Sequence, residues 1–171
     1  MKKETIYKGK IVNLAKEECI LPDGRSYIQE IIHHPGGACA VPIFENGDVV
    51  LLKQYRYAAG GFIWEIPAGK LDIEGEDPKS CAARELIEEA GLKSGKLEKI
   101  ISINTTPGFC DEILHIYKAT SLSETSQNTE EHEILEVHRL TKSEVCAMIK
   151  KSEITDAKTL IGLMLCGYLP E

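Results

Sequence analysis

Three glutamates, Glu85, Glu88 and Glu89, lie within Arg84-Glu85-Leu86-Ile87-Glu88-Glu89-Ala90-Gly91-Leu92, and no other stretch of the chain is better placed to do chemistry. At about 100° per residue on a helix, the three carboxylates converge on one stripe, with Ala83, Leu86, Ile87 and Ala90 near the opposite one. Like charges at i,i+3 and i,i+4 destabilise a helix by roughly a few tenths of a kcal/mol per pair. A positive partner is therefore expected over them. Oxygen-only ligands favour a hard ion, Mg2+ or Mn2+, over zinc. Taken alone, the same array describes the wet face of an ordinary amphipathic helix.

The preceding segment points away from that plainer interpretation. Trp64-Glu65-Ile66-Pro67-Ala68-Gly69-Lys70-Leu71 runs as an apolar strand into a Gly-punctuated loop, followed by Asp77 as N-cap and Pro78 in the first helical turn. Gly91 supplies the stop. A strand, loop and helix this compact are expected to bring loop carbonyls beside the acidic face as a preformed metal cage.

From Gly69 to Leu92 the sequence resembles the Nudix box: Gly, five residues, Glu, seven residues, then Arg-Glu-aliphatic-any-Glu-Glu-any-Gly-aliphatic. Seven residues separate Glu76 from Arg84, and every fixed position after that is filled. Six residues rather than five lie between Gly69 and Glu76, an insertion that the loop at 72–75 can absorb. The resemblance implies that Glu85 and Glu89 hold the metal, with Glu88 as a further or alternative ligand and the Ala68 carbonyl completing the set. Arg84 would orient the glutamates through an ion pair, with Glu76 as its partner, a task suited to a bidentate fork.

Within the superfamily, the chain resembles the ADP-ribose pyrophosphatases. Pro107 lies sixteen residues after Gly91, the spacing associated with that subfamily. Residues 29–42, Lys53-Gln54-Tyr55-Arg56-Tyr57 and Asp156-Ala157-Lys158-Thr159-Leu160 look like its other segments, so the similarity runs from about residue 20 to 168. It implies a phosphate contact at Arg56, an adenine-side contact at Glu30 and a ribose-end contact at Glu112. Tyr27, Tyr55 and Phe109 are candidates to stack on adenine, although core packing would explain each equally well. The general base would be a loop glutamate well after the box. Glu131 is favoured and Glu133 is second, with Glu130 a solvated acid and His132 a bystander.

The implied activity is Mg2+-dependent hydrolysis of ADP-ribose to AMP and ribose 5-phosphate. Two alternatives stay open: cleavage of another nucleoside diphosphate derivative (a nucleotide sugar or dinucleotide), and a nucleotide-binding module without turnover. Such modules usually lose box glutamates, and all three are present here.

The elements that must position these residues can be read coarsely. Residues 5–34 read as antiparallel strands around Pro22-Asp23-Gly24, and 38–44 and 48–55 flank the hairpin signal Asn46-Gly47. Further strands are expected at 62–68, 96–104, 112–119 and 133–139, a polar loop at 121–131, and helices at 141–151 and 155–167. The expected fold is α+β, a Nudix-type α/β/α sandwich with a mixed sheet and an N-terminal antiparallel extension over residues 1–34. By resemblance, that extension would exchange between the two chains of a homodimer.

At 171 residues the chain suits one domain, residues 1–171. A net charge of −7 and a pI near 5.3 argue against nucleic-acid binding through a basic surface, so metal ions would have to bring in an anionic substrate. Six scattered cysteines without a Cys-x-x-Cys pair read as free thiols of a reducing cytoplasm. The start of the chain is not leader-like, and no apolar run is long enough to span a membrane.

Overall fold

The computed structural model describes residues 3–129 and 133–170. β1 (Lys3–Lys8), β2 (Asn13–Ile20) and β3 (Ser26–His33) form an antiparallel sheet of their own in the order β1-β2-β3. β4 (Gly37–Pro42), β7 (Ala68–Lys70), β8 (Leu92–Asn104) and β9 (Ile113–Glu124) form a mixed sheet, β7-β4-β9-β8, in which β4 and β9 run parallel. β5 (Val49–Arg56), β6 (Gly61–Glu65) and β10 (Leu135–Leu140) form a third, β10-β5-β6. The helices are α1 (Pro78–Ala90), α2 (Lys142–Lys150) and α3 (Ala157–Leu165), and none is long and apolar enough to cross a membrane.

Alternation along the central strands builds two cores, one on each face. Cys39, Val41, Val49 and Leu51 pack with Val145 of α2 and Leu163 of α3, whereas Ala38, Ala40, Val50 and Leu52 pack with Cys81, Ala82 and Leu86 of α1. β4 is therefore buried at every residue, as a strand covered on both faces must be. Each fully buried leucine or isoleucine contributes roughly 1.5–3 kcal/mol, which makes these faces the source of the fold's stability.

Three expectations need correction. The Asn46-Gly47 turn forms, with Phe44 N donating to Asp48 O at 2.9 Å, but it does not join a hairpin. β4 already pairs with β7 and β9, and β5 with β6 and β10, so both edges of each strand are taken beyond the single Ile43–Val49 bridge. The strand expected at 62–68 is two strands in different sheets. Pro67 has no N–H to continue a ladder, its carbonyl accepts from Ala40 N at 3.0 Å, and Ile66 N donates to Thr159 Oγ1 at 2.9 Å. Finally, residues 121–124 continue β9 instead of opening the polar loop. Leu122 packs on the α1 side while its polar neighbours hide the alternation.

The N-terminal sheet meets the rest of the chain along β3. Ile32 N donates to Phe109 O at 2.7 Å, and Asp111 N donates to Ile32 O at 3.2 Å. His33 ties the junction together, with Nδ1 at 2.6 Å from Asp111 and Nε2 at 2.7 Å from Glu17.

Candidate active site

α1 begins where its local chemistry says it must. Asp77 accepts from Lys79 N and Ser80 N at 2.8 and 3.2 Å, Pro78 occupies the first turn, and Gly91 ends the helix in the left-handed region at φ 62°. The helix is rotated relative to the sequence expectation. Its inward face is Cys81, Ala82, Leu86, Glu89 and Ala90, and Ala83 and Ile87 are half-buried. At about 100° per residue, Glu89 sits only about 60° from Leu86, so turning Leu86 into the core carries Glu89 with it. The three glutamates consequently differ in burial: 2% of Glu89 is exposed, with 13% of the Glu85 side chain and 36% of that of Glu88.

Burial sets the electrostatics. Loss of solvent pushes the Glu89 carboxyl up to about 8, opposed by the Ala68 N–H donating to it at 2.8 Å and reinforced by Glu85 and Glu133. Burial also raises Glu85, against the pull of Arg84. Arg84 grips Glu76 through Nε and Nη2 at 2.9 and 3.0 Å, and its Nη1 reaches Glu85 and Glu88 at 2.7 and 2.8 Å. The positive group between Glu85 and Glu88 is thus a guanidinium. Among the described residues no three acidic, imidazole or thiol groups already converge on one point.

The donor set nevertheless fits a hard dication. It is all oxygen, desolvation raises two of its carboxylates (the buried Glu89 and the half-buried Glu85), and the strand opposite approaches without a side chain. A Cβ on Gly69 would lie 1.7 Å from Glu85 Oε1, so only glycine leaves that carboxylate where it is.

A cavity of about 1150 Å³ opens over this helix face. It gathers Ala68, Arg84, Glu85 and Glu88 with Arg56, Glu112 and Glu133, seven of the residues singled out in the sequence. Glu89 lies beneath it. Glu112 accepts from Thr105 Oγ1 at 2.7 Å, and Arg56 Nε donates to Glu65 at 2.7 Å. The loop after β9 is stitched to the end of α1, with Asn128 N donating to Glu88 O and Gln127 Nε2 to Glu89 O. That tether brings Asn128 and Thr129 into the wall. Glu130, Glu131 and His132 lie outside the described residues. Glu30 and Pro107 are exposed and do not line the cavity, nor do Tyr27, Tyr55 and Phe109; its apolar lining is aliphatic, with Ile11, Ile73 and Ile103 among it.

Residues 33–161, the span that carries this helix and cavity, match the NUDIX domain. The chain belongs to the Nudix family. The ADP-ribose pyrophosphatase of Bacillus subtilis (strain 168) is 40% identical to it over 163 residues, covering 94% of this chain and 88% of that protein. A methanol dehydrogenase activator of Bacillus methanolicus is also 40% identical, over 165 residues, covering 95% and 89%. A crystal structure of an ADP compounds hydrolase superposes with a TM-score of 0.82, covering 97% of this chain and 90% of that one at 19% identity, and shows the shared fold.

In this Nudix chain the sequence reading missed Glu65 and assigned no role to Lys158. Glu65 is 3% exposed, and Lys158 donates to it from α3. A lone glutamate inside an apolar strand, Phe62-Ile63-Trp64-Glu65-Ile66, was the available clue, since a buried carboxylate requires a partner.

Proposed function

We propose that the chain is a Nudix pyrophosphohydrolase that cleaves ADP-ribose to AMP and ribose 5-phosphate. The observation that carries this reading is one cavity bounded by the box glutamates on one side and Arg56 and Glu112 on the other. The name of the Bacillus subtilis relative supports the substrate. Mg2+ or Mn2+ held by Glu85, Glu88, Glu89 and the Ala68 carbonyl would, when bound, neutralise phosphate oxygens and lower the pKa of a coordinated water.

The chain's own groups account for the rest. Arg84, anchored bidentately on Glu76, holds Glu85 and Glu88 in place, and both carboxylates would be available to a bound cation. Arg56 meets the diphosphate with its terminal N–H groups, and Glu112 holds the ribose end. Glu131 takes the proton of the attacking water, with Glu133 second in line. The half-buried Glu133 lies close enough to raise both Glu85 and Glu89, which supports a base in this part of the loop. Residues 1–171 act as one domain. A homodimer built through the N-terminal sheet is supported by its exposed Ile6, Tyr7, Ile20 and Ile28. The six free cysteines support a reducing, cytoplasmic setting.

The names of further relatives, GDP-mannose pyrophosphatases, favour one second reading, cleavage of another nucleoside diphosphate derivative such as a nucleotide sugar or a dinucleotide. A hydrolysis panel of ADP-ribose, GDP-mannose, FAD and NADH with Mg2+ separates the two. ADP-ribose is expected to be turned over fastest, with loss of turnover in EDTA. Turnover of GDP-mannose, FAD or NADH with ADP-ribose left intact would replace the first reading by the second. In the same assay Glu131→Gln is expected to lower kcat by orders of magnitude with KM little changed, and near-normal turnover would move the base to Glu133.

A further inference from the structure

Lys158 stands in the first turn of α3 and lines the cavity, but none of the roles in the proposed hydrolysis falls to it. Its Nζ donates to Glu65 Oε1 and lies 3.1 Å from Asp156 Oδ2. The other oxygen of Glu65 accepts from Arg56 Nε at 2.7 Å, so this carboxylate, with 4% of its side chain exposed, is held by one cation at each oxygen. The arrangement is anchored in turn. Asp156 accepts from Thr159 N and Oγ1 at 2.9 and 2.6 Å, and Thr159 Oγ1 accepts from Ile66 N, next to Glu65. Burial alone would lower the Lys158 pKa, but Asp156 and Glu65 outweigh it and the amine stays charged.

The geometry leaves Arg56 half in and half out. Nε is committed to Glu65, while the side chain stays 42% exposed on the cavity wall. A guanidinium has five donors in a rigid fork, and fixing Nε leaves the two terminal nitrogens to face a phosphate side by side. Without Lys158, Glu65 could rotate and Arg56 would lose that orientation. We propose that Lys158 is a positioning residue for diphosphate recognition: it holds Glu65, and through Glu65 it presents Arg56 as a pre-oriented fork. The inference rests on the proposed role of Arg56 as a phosphate contact. Ordering the fork before the substrate arrives removes an entropic cost from binding.

The test is calorimetric binding of ADP, which carries the diphosphate and needs no turnover, together with kcat and KM for ADP-ribose and the thermal midpoint. Lys158→Gln is expected to weaken ADP binding at least about tenfold and to act more on KM than on kcat. Glu65→Gln keeps the shape and one carbonyl oxygen, so it covers the case in which Lys158→Gln folds poorly, and it is expected to match it. In an Arg56→Ala background, adding Lys158→Gln should cost less than about twofold further, because the fork it orients is gone. Unchanged ADP affinity with a lowered thermal midpoint would reduce Lys158 to a structural role and overturn the proposal. So would losses that multiply across the double variant. Unchanged ADP affinity in Arg56→Ala alone would remove the premise and the proposal together. The expected ADP results without ADP-ribose turnover would sink the substrate assignment and leave Lys158 in place.

Discussion

Gly69 shows how closely the site depends on a single missing side chain. Its would-be Cβ meets Oε1, Cδ and Cγ of Glu85 at 1.7, 2.1 and 2.7 Å. Those atoms form the far end of a flexible side chain, so Gly69→Ala displaces the carboxylate more readily than it disrupts the fold. Misplacing a reacting group by about 1 Å can cost about 100-fold in rate. A fall of that order in kcat is expected, with a thermal midpoint lowered by only about 2–4 °C, the effect of roughly 1 kcal/mol in a chain of this size. An activity within twofold of the parent would mean that Glu85 need not stay where it is. The sequence marked Gly69 and Glu85 through the box spacing, but nothing in it showed that the two touch. It also could not rank the three glutamates, because burial depends on what the helix packs against.

At the level of elements, the helix ends were legible and the strand pairings were less so. Asp77, Pro78 and Gly91 act within a few residues of themselves, so their types suffice to place the boundaries of α1. The break at Pro67 and the parting of β4 from β5 depend on distant edges, and periodicity alone merged or paired those strands. The junction of β3 with residues 108–111 carries a pH dependence that follows from its charges. Asp111, then Glu17, raise the His33 pKa above its ordinary 6.5, against Lys3. Glu17 is lowered from 4.5, first by Lys3 and then by His33; burial would raise Asp111 from 3.8, but His34 N–H and His33 outweigh it. The histidine's contribution is complete below 6.5 and is lost as pH climbs through its raised value. Those of the carboxylates are present above 4.5 and 3.8 and are lost as pH falls through their lowered values. The N-terminal sheet should therefore be held most firmly between about pH 4.5 and 6.5. Thermal midpoints of the parent and of His33→Gln should differ most in that window and converge toward pH 9. A difference independent of pH would refute the assignment.

Over the whole molecule, the N-terminal sheet is the surface left without a core. Ile6, Tyr7, Ile11, Val12, Ile20, Tyr27 and Ile28 are between 40 and 73% exposed, and the register of β2 with β3 puts Ile20 and Ile28 diagonally adjacent on one face. A second copy of the chain is expected to cover it, so sedimentation should show a dimer at micromolar concentration. The double variant Ile20→Lys/Ile28→Lys should shift the chain to monomer, and a monomeric parent would refute the interface. What the sequence determined by itself was a local arrangement: Glu76 just before the N-cap Asp77, then Arg84, Glu85, Glu88 and Glu89 on one capped helix, because helix geometry acts over three and four residues. Tertiary structure alone decided that Ala68 N donates to the buried Glu89, 21 positions away, and that Lys158 reaches Glu65 across 93 positions. Those pairings depend on how sheets and helices stack, and contacts between residues so far apart leave no period in the chain to read.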